Sequence, residues 1–401
     1  MSRSIIAAGM LASASLLMWS QSATATVNVQ CPGDRDGDAV IDRVDSAHPN
    51  AKCMHITAGD GFIRSADGKD QYIFGFNNVT GISEDDVMSA GRLAANFSAP
   101  SIILDEGDEF FLTISNVPFA ARPDLFDAHT VHWHGYPNAA VVFDGEPEGS
   151  FGVNPGSSFT YFYRVGTPGT FMYHCHQEAT EHMQMGMLGN LYVRPAQNRL
   201  PGGTSLGNHT HLDGHKYVYN DGDGSTRYDV EYPIQLAGFD SAFHTASVST
   251  QPLPFALMRD NYPMINGRGY PDTVNPQPVL NADGKPSQPL SALVKATQGQ
   301  RILLRMSSLD VTRYFTVTAG GLPMRVVGRG AAILRGGGAA AGKNVAYTTA
   351  SVTLGGGEAV DVIIDTTGVP RGTYPLHAAN LHYLANGDQD MGGMMTEIVV
   401  E

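Results

Sequence analysis

One segment of 25 residues, GTFMYHCHQEATEHMQMGMLGNLYV at positions 169–193, constrains the fold of this chain more than any other. Its two ends, Thr170–Tyr173 and Gly189–Val193, are rich in β-branched and aromatic residues and predict short strands. Between them lie a cysteine, three histidines and three methionines. Soft sulfur ligands combined with imidazole select copper over magnesium or calcium. The segment therefore predicts two strands joined by a metal-binding loop.

The spacing of the sulfur and imidazole groups in this loop indicates the kind of copper site. Cys175 is followed by His182, and Met187 comes five residues after that histidine. A blue-copper (type 1) site needs one thiolate, two imidazoles and a weak axial methionine. We expect the missing imidazole to come from an earlier strand, and the segment AHTVHWHG offers His129.

Strand parity places a second group of histidines behind this site. Successive side chains of an extended strand point to opposite faces, so the two histidines of HWH share a face and His129 points away from it. In the same way, the histidines that flank Cys175 point away from the cysteine. Four histidines can thus face a second copper centre: His132, His134, His174 and His176. Peptide bonds from Cys175 to two of them give electrons a short covalent route.

HWHG, and HCH followed by His and Met, resemble the copper motifs of the multicopper oxidase and copper nitrite reductase superfamily. The resemblance implies an all-β fold with two cupredoxin-like Greek-key β-sandwich domains. It also implies a copper-dependent oxidoreductase that takes single electrons from a donor at the type 1 copper and reduces dioxygen at a histidine-bound type 2/3 centre. In the first domain it covers roughly Phe97–Pro195. In the second it rests on MINGRGYPDT, QRILLRMSSLDVTRYFTVTAGGLPMRVVGRG and GGGEAVDVIIDTTGVPRGTYPLH.

Short β-branched and aromatic runs separated by Gly, Pro and Asp recur along the chain, and they independently predict β-sandwiches. Further strands are expected at Gln71–Phe76, Ser101–Leu104, Glu109–Ile114, Ser158–Tyr163, Glu231–Ala237, Leu290–Val294, Arg301–Met306, Tyr314–Thr318, Met324–Val327, Ala359–Asp365 and Thr396–Val400. We predict a signal peptide at 1–25, an Asp-rich loop at 26–54, a first domain at 55–196, a linker at 197–229 and a second domain at 230–401. The linker carries His209, His211 and His215, either as metal ligands or as solvated side chains.

The N-terminal residues and the overall charge indicate export. Arg3 precedes an apolar run from Ile5 to Trp19, and a small-x-small site follows at Ala23 and Ala25; this pattern predicts a secretory signal peptide cleaved after Ala25. The alternative is an uncleaved anchor. We therefore expect a periplasmic or extracellular protein without a further membrane span. The formal net charge of −14 disfavours nucleic acid and anionic membranes as partners.

Between the first two cysteines lies an Asp-rich loop whose spacing suits calcium. Asp34, Asp36, Asp38, Asp42 and Asp45 occupy positions 1, 3, 5, 9 and 12 of this loop. The segment resembles a thrombospondin type 3 repeat, except that Ala39 replaces its second glycine. The alternative is a solvated acidic loop. In an oxidising compartment we expect Cys31 to pair with Cys53, which leaves Cys175 free for a metal.

The second domain does not carry the histidines that the resemblance calls for. A trinuclear cluster in this superfamily takes eight histidines from four H-x-H motifs, whereas GTYPLHAA offers only His377, with His382 nearby. Two-domain relatives often complete this centre between the subunits of a homotrimer. The resemblance also aligns Asp144 with an acid that assists proton delivery, although an Asp-Gly turn explains it equally well.

Three functions remain open from the sequence: a laccase-like or metal oxidase, a nitrite-reductase-like enzyme, and an electron carrier or copper-binding protein that uses only the blue site. The electron donor is a small molecule or a metal ion. Glu178 and Glu181 in the ligand loop could attract a cation, but exposed acids are ordinary in loops. Met183 and Met185 either bind Cu(I) or pack, and packing is the expected role.

Overall fold

The structure is a computed structural model that describes residues 27–137, 140–249, 252–338 and 342–401. The predicted signal peptide lies outside these residues. Three short α-helices occur among them: α1 Val87–Ala90, α2 Ala179–Met185 and α3 Ser241–Ser247. None of the helices in the described ranges has the length and apolar character needed to cross a bilayer.

The first β-sandwich spans residues 51–194 and consists of two four-stranded sheets. Its strands are β1 Ala51–Arg64, β2 Asp70–Asn78, β3 Ala99–Asp105, β4 Glu109–Asn116, β5 His132–His134, β6 Ser158–Arg164, β7 Gly169–His174 and β8 Leu188–Arg194. One sheet has the order β2-β1-β4-β6 and the other β3-β8-β7-β5. Their inward-facing apolar side chains form one buried cluster, which includes Trp133, Tyr173, Cys175 and Met187.

Strand β7 is buried along its whole length because both of its faces are covered. One face contributes Phe171 and Tyr173 to the core of the first sandwich. On the other face Met172 packs against Leu309 and Ala359 of the second sandwich. This strand leads directly into His174 and Cys175, so both sandwiches fix the position of the ligand loop.

The second β-sandwich follows four short strands that form two small hairpins: β9 Ser205–Leu206, β10 His209–Thr210, β11 Lys216–Tyr217 and β12 Arg227–Tyr228. Its own strands are β13 Val230–Ala237, β14 Met264–Ile265, β15 Val279–Leu280, β16 Pro286–Gln288, β17 Val294–Ala296, β18 Arg301–Ser308, β19 Phe315–Thr318, β20 Met324–Arg329, β21 Ala332–Ile333, β22 Tyr347–Thr349, β23 Ser351–Leu354, β24 Glu358–Asp365, β25 Gly372–Ala378, β26 Ala385–Asn386, β27 Gln389–Asp390 and β28 Met395–Val400. The two facing sheets run β14-β13-β18-β24-β20-β21 and β17-β28-β25-β19-β23. Strand β28 buries every second residue, as a strand with one covered face does.

The prediction of a strand at Leu290–Val294 is wrong for most of its length. Only Val294 belongs to a strand, because β17 begins there and pairs with β28. The preceding residues bond elsewhere: Ala292 N donates to Thr273 O at 2.8 Å, and the Ser291 hydroxyl donates to the same carbonyl at 3.1 Å. A nearby turn therefore satisfies backbone groups that a sheet would otherwise pair.

A buried ionic network joins the two sandwiches. The fully buried guanidinium of Arg305 lies 2.9 Å from Glu231 Oε2 and 3.8 Å from Asp361 Oδ1. From the first sandwich, the Thr170 hydroxyl donates to Asp361 Oδ1 at 2.5 Å. Tyr219, from the segment predicted as a linker, donates to Asp361 Oδ2 at 2.5 Å. The contact between the sandwiches is thus polar and specific as well as apolar.

Candidate metal centre

Residues from an isolated β-bridge, from the end of β7 and from one helix meet around the Cys175 sulfur. His129 is held by a β-bridge to Val153. Cys175 directly follows β7, and His182 lies on α2. Two backbone hydrogen bonds close the ligand loop. Cys175 N donates to Met187 O at 3.1 Å, and Met187 N donates to His182 O at 2.8 Å.

Gly186 is needed in the turn that brings Met187 back. It has φ +121°, and a Cβ there would lie 2.5 Å from the Phe97 ring and 2.7 Å from Phe74 O. A side chain at this position would therefore push the end of α2 away from the core. Gly186 therefore allows the tight turn that brings the chain from His182 back to Met187.

The donor atoms of this cluster converge on one point. Cys175 Sγ lies 3.2 Å from His182 Nδ1 and 3.9 Å from His129 Nδ1, and all three side chains are fully buried. Burial lowers the pKa of His182 to about 3 and lowers that of His129 as well, so both imidazoles are neutral and able to bind a metal. Burial raises the pKa of the Cys175 thiol to about 12.

Two observations indicate that this donor set fits a soft transition metal. The backbone N–H of Thr130 points at the sulfur from 3.4 Å, which favours a thiolate. His129 and His182 both turn Nδ1 toward the sulfur, and among the described residues neither ring makes a hydrogen bond through Nε2. A thiolate with two neutral imidazoles and a buried methionine suits copper. The residues present therefore fit the metal that the resemblance implies.

The four histidines of HWH and HCH lie together on the opposite side of the strands. Strands β5 and β7 pair antiparallel with His132 opposite His174. The rings of His132 and His176 are 4.9 Å apart between centroids, and His134 Nδ1 lies 3.3 Å from His174 Nε2. Metal-ligating atoms of His132, His134 and His174 all fall within 4.8 Å of one another. Burial lowers the pKa of these three imidazoles, to about 3 for His174.

Two acidic residues after HWHG contact these histidines. The main-chain oxygen of Asp144 accepts a hydrogen bond from His132 Nδ1 at 2.7 Å, and its carboxylate lies 3.6 Å from the same nitrogen. Glu146 Oε2 lies 2.9 Å from His176 Nε2. Sequence reasoning singled out Asp144 and missed Glu146, although both belong to the segment FDGEPEG that follows HWHG.

A cavity of about 380 Å³ opens beside the four-histidine group. His134, His174 and His176 line one side of it, and residues of the second sandwich, among them Asp310 and Gly357, line the other. The close approach requires a glycine, because a Cβ on Gly357 would lie 2.8 Å from His134 Nε2. The cavity has room for small molecules such as water or dioxygen.

The other histidines of the chain lie away from this cavity. His377 is in β25, opposite Thr318 and Met395, and the exposed His382 lies in a 3-10 turn. Neither lines the cavity. In the segment predicted as a linker, His209 and His211 each contact the Tyr217 hydroxyl at 3.2 Å. The chain thus brings four of its six candidate histidines together.

The Asp-rich loop gathers part of its predicted ligand set. The disulfide between Cys31 and Cys53 is present, which confirms that prediction. Carboxylate oxygens of Asp34, Asp36 and Asp42 lie within 4.8 Å of one another. Asp38 and Asp45 lie outside this group, and each accepts a backbone hydrogen bond at 2.8 Å from the residue two positions further on.

Two multicopper oxidase family profiles match this chain, one over residues 83–198 and the other over residues 244–400. Among curated relatives, multicopper oxidase MCE of Talaromyces pinophilus is 33% identical over 126 residues, and laccase abr2 of Aspergillus fumigatus is 31% identical over 122 residues. These matches cover 29% and 30% of this chain but only 18% of each relative.

Solved structures share the fold over most of the chain. The blue copper oxidase from Nitrosomonas europaea has a TM-score of 0.61 at 22% identity, with 87% of this chain and 86% of that one covered. A copper nitrite reductase from Nitrosomonas europaea has a TM-score of 0.56 at 16% identity, with 88% and 94% covered. The multicopper oxidase mgLAC gives a TM-score of 0.62 at 20% identity, with 88% and 86% covered. The predicted all-β fold of two cupredoxin-like sandwiches is confirmed.

Proposed function

We propose that this chain, which belongs to the multicopper oxidase family, is an exported copper-dependent oxidoreductase that oxidises a donor by single electrons and reduces dioxygen. The observation that carries the proposal is the position of Cys175, between two cavity-facing histidines and within 4 Å of two further imidazoles. When bound, copper supplies one-electron redox chemistry beside the cysteine and dioxygen reduction beside the four histidines.

The protein's own groups connect the two centres. Cys175 is peptide-bonded to His174 and His176, and its main-chain oxygen lies 2.9 Å from His174 Nδ1. Electrons that enter at the thiolate therefore have two covalent routes and one hydrogen-bonded route to the cavity. The neutral imidazoles need no deprotonation before they bind a metal.

A second cavity beside α2 is the proposed approach for the donor. It measures about 600 Å³ and is lined by Glu178, Glu181, Leu253 and Phe255. Burial, and then the charge of Glu178, raise the pKa of Glu181 to about 7. Asp127 Oδ2 lies 4.0 Å from Nε2 of His182, whose Nδ1 faces the sulfur. Acids and apolar side chains together suit a cationic or aromatic donor, or a metal ion.

Assembly into a homotrimer is part of the proposal. In this chain the second sandwich contributes none of its histidines to the cavity. His377 is partly exposed and His382 exposed, so both are accessible to a neighbouring subunit. Light scattering of the copper-loaded chain tests this: a trimer supports completion of the centre between subunits, whereas a monomer contradicts it.

A smaller, nitrite-reductase-like copper centre is the second candidate. The observation in its favour is that three histidines, rather than eight, bring their ligand atoms within 4.8 Å. A carrier that uses only the blue site is the remaining alternative. Copper counted per chain separates these functions: a single copper indicates a carrier, a pair indicates the nitrite type, and a larger complement indicates an oxidase.

Turnover with a reduced donor and either dioxygen or nitrite then decides between the two enzymes. We expect dioxygen uptake, and we expect His132→Ala to stop it while the blue absorption remains. His209→Ala serves as the matched control, because this histidine contacts Tyr217 and does not line the cavity. Unchanged dioxygen uptake in His132→Ala would contradict the assignment of the four-histidine group.

Export and a structural calcium ion complete the proposal. The disulfide between Cys31 and Cys53 is typical of an oxidising compartment. The oxygen cluster of Asp34, Asp36 and Asp42 supports calcium. Repulsion from Asp38 raises the pKa of Asp36, and a bound cation would relieve this repulsion. Calcium titration followed by calorimetry, with Asp36→Asn as the variant, tests the site.

A further inference from the structure

Two buried carboxyl groups lie beside each other at the edge of the cavity next to the four histidines, on the side of the second sandwich. Asp310 is 8% exposed and lines this cavity together with His134, His174 and His176. Asp260, whose side chain is 2% exposed, lies next to it. No role has been given to either carboxyl group above, and burying a carboxyl group is costly unless it is hydrogen-bonded or paired.

The two carboxyl groups crowd against one glycine. A Cβ on Gly238 would lie 2.4 Å from Asp260 Oδ2 and 2.5 Å from Asp310 Oδ2. The hydroxyl of Thr312 donates to Asp260 and lies 3.3 Å from Asp310 Oδ1. The Thr312 hydroxyl can donate its single hydrogen to only one carboxyl group. Its contact with the other is a hydrogen bond only if that carboxyl group is protonated and donates to the hydroxyl oxygen.

Few positive charges compensate the pair. Arg313 Nε lies 3.8 Å from Asp260 Oδ2, and Gln184 Nε2 donates to Asp260 Oδ1 at 3.2 Å. The backbone amides of Gly238, Thr312 and Arg313 donate to the Asp310 carboxylate at 2.5, 2.8 and 2.5 Å. Burial, followed by the charge of Asp310, raises the pKa of Asp260 to about 6, and burial raises that of Asp310. The pair therefore keeps a proton up to about pH 6.

We propose that Asp260 and Asp310 supply protons for dioxygen reduction in the cavity, an inference that rests on the proposed oxidase function. Reduction of one dioxygen takes four electrons from the donor and four protons, breaks the O–O bond and releases two water molecules. Protons pass from Asp310 through water in the cavity of about 380 Å³. The exposed Thr312, which contacts both carboxyl groups, connects the pair to solvent for reprotonation.

Kinetics of the copper-loaded chain provide the first test. Asp260→Asn should lower kcat for dioxygen uptake by about a hundredfold, the scale of general acid catalysis. Wild-type kcat should fall as pH rises through about 6, because the pair loses its proton, and the variant should lack this step. Anaerobic reduction of the blue site by the donor should stay at the wild-type rate, because the variant leaves the residues around the Cys175 sulfur unchanged.

Two further variants separate this role from a structural one. Thr312→Val keeps both carboxyl groups but removes the connecting hydroxyl, and it should increase the solvent isotope effect on kcat. Asp67→Asn is the matched control: its side chain is 9% exposed and paired with Lys69, but it does not line the cavity. This control should keep the wild-type kcat and pH profile.

The metal-free chain provides a test that does not depend on activity. Infrared spectra should show the carbonyl stretch of a protonated carboxyl group that persists above pH 5 and disappears in Asp260→Asn. Absence of this band in the wild type, or a folded Asp260→Asn with wild-type kcat and pH profile, would overturn the proposal. A wild-type chain that shows the band but takes up no dioxygen would instead refute the proposed oxidase function.

Discussion

Replacement of Arg305 by methionine should weaken the contact between the two sandwiches. The Arg305 side chain is fully buried, with its Nε 2.9 Å from Glu231 Oε2 and its Nη1 3.1 Å from the Thr170 hydroxyl. Its guanidinium also lies 4.7 Å from the centre of the Tyr192 ring. Methionine keeps most of the length of the side chain, so the variant mainly removes the charge.

The expected loss of stability follows from the groups left behind. Removal of one partner from a buried ion pair costs about 3–5 kcal/mol, because the other charge remains buried. Glu231 keeps Arg194 as an ion-pair partner and the Tyr228 hydroxyl as a donor at 3.0 Å. Asp361 keeps two hydroxyl donors. We therefore expect the lower end of this range, about 3 kcal/mol.

The loss should depend on pH with a defined sign. Burial alone would raise the pKa of Glu231, but Arg305 and Arg194 hold it below its usual 4.5. A carboxylate with a lowered pKa stabilises the folded state above its unfolded pKa, and this contribution is lost as pH falls through the folded pKa. The difference between wild type and Arg305→Met should therefore be largest at neutral pH and shrink below pH 4.5.

Urea unfolding of the metal-free chain, followed by circular dichroism, measures this difference. Arg301→Met is the matched control, since this arginine is 38% exposed and its ion pair with Asp365 is 3.3 Å long. Exposed pairs contribute about 0–1 kcal/mol. If Arg305→Met loses no more stability than Arg301→Met, the buried network does not hold the sandwiches together.

Three further predictions concern the copper sites. Gly145→Ala should lower the free energy of unfolding by about 1–2 kcal/mol because φ at this position is +74°. It should also displace His132, since a Cβ would lie 2.2 Å from Val131 O. Urea unfolding measures the first effect, which full stability would contradict, and dioxygen uptake at an oxygen electrode measures the second. Glu181→Gln should raise KM for a cationic donor and leave KM for a neutral donor unchanged, because its carboxyl group lines the proposed donor cavity; equal effects on both donors would argue against it. In the metal-free chain the buried thiol of Cys175 should react with a disulfide reagent far more slowly than in urea; rapid reaction in the folded chain would mean that the site is open.

Much of the candidate site follows from local sequence. The histidines of HWH and HCH share a face because neighbouring residues in a strand alternate, and no tertiary information is needed for that inference. The seven-residue step from Cys175 to His182 spans one turn and the first half of α2. Strand β7, which leads into HCH, was also predictable, because Thr170–Tyr173 is a run of β-branched and aromatic residues that follows turn residues.

Long-range contacts could not be predicted in the same way. Asp260 and Asp310 are separated by 50 positions and meet only because Gly238 leaves room for both. Glu146 is 30 positions from His176, and nothing in its local pattern distinguishes it from Glu148. The hairpins of residues 205–228 were predicted as part of a linker because the segment is rich in glycine, asparagine and aspartate, yet the side chains of Tyr217 and Tyr219 are buried.

The most direct test of the account compares copper-loaded wild type with Cys175→Ser by visible absorption and paramagnetic resonance. The wild type should show the intense absorption of a copper thiolate, and Cys175→Ser should lose both this absorption and donor-dependent dioxygen uptake. Copper bound at the four histidines should remain detectable in the variant. A colourless wild type, or a blue Cys175→Ser variant, would contradict the assignment of the sulfur as both ligand and electron route.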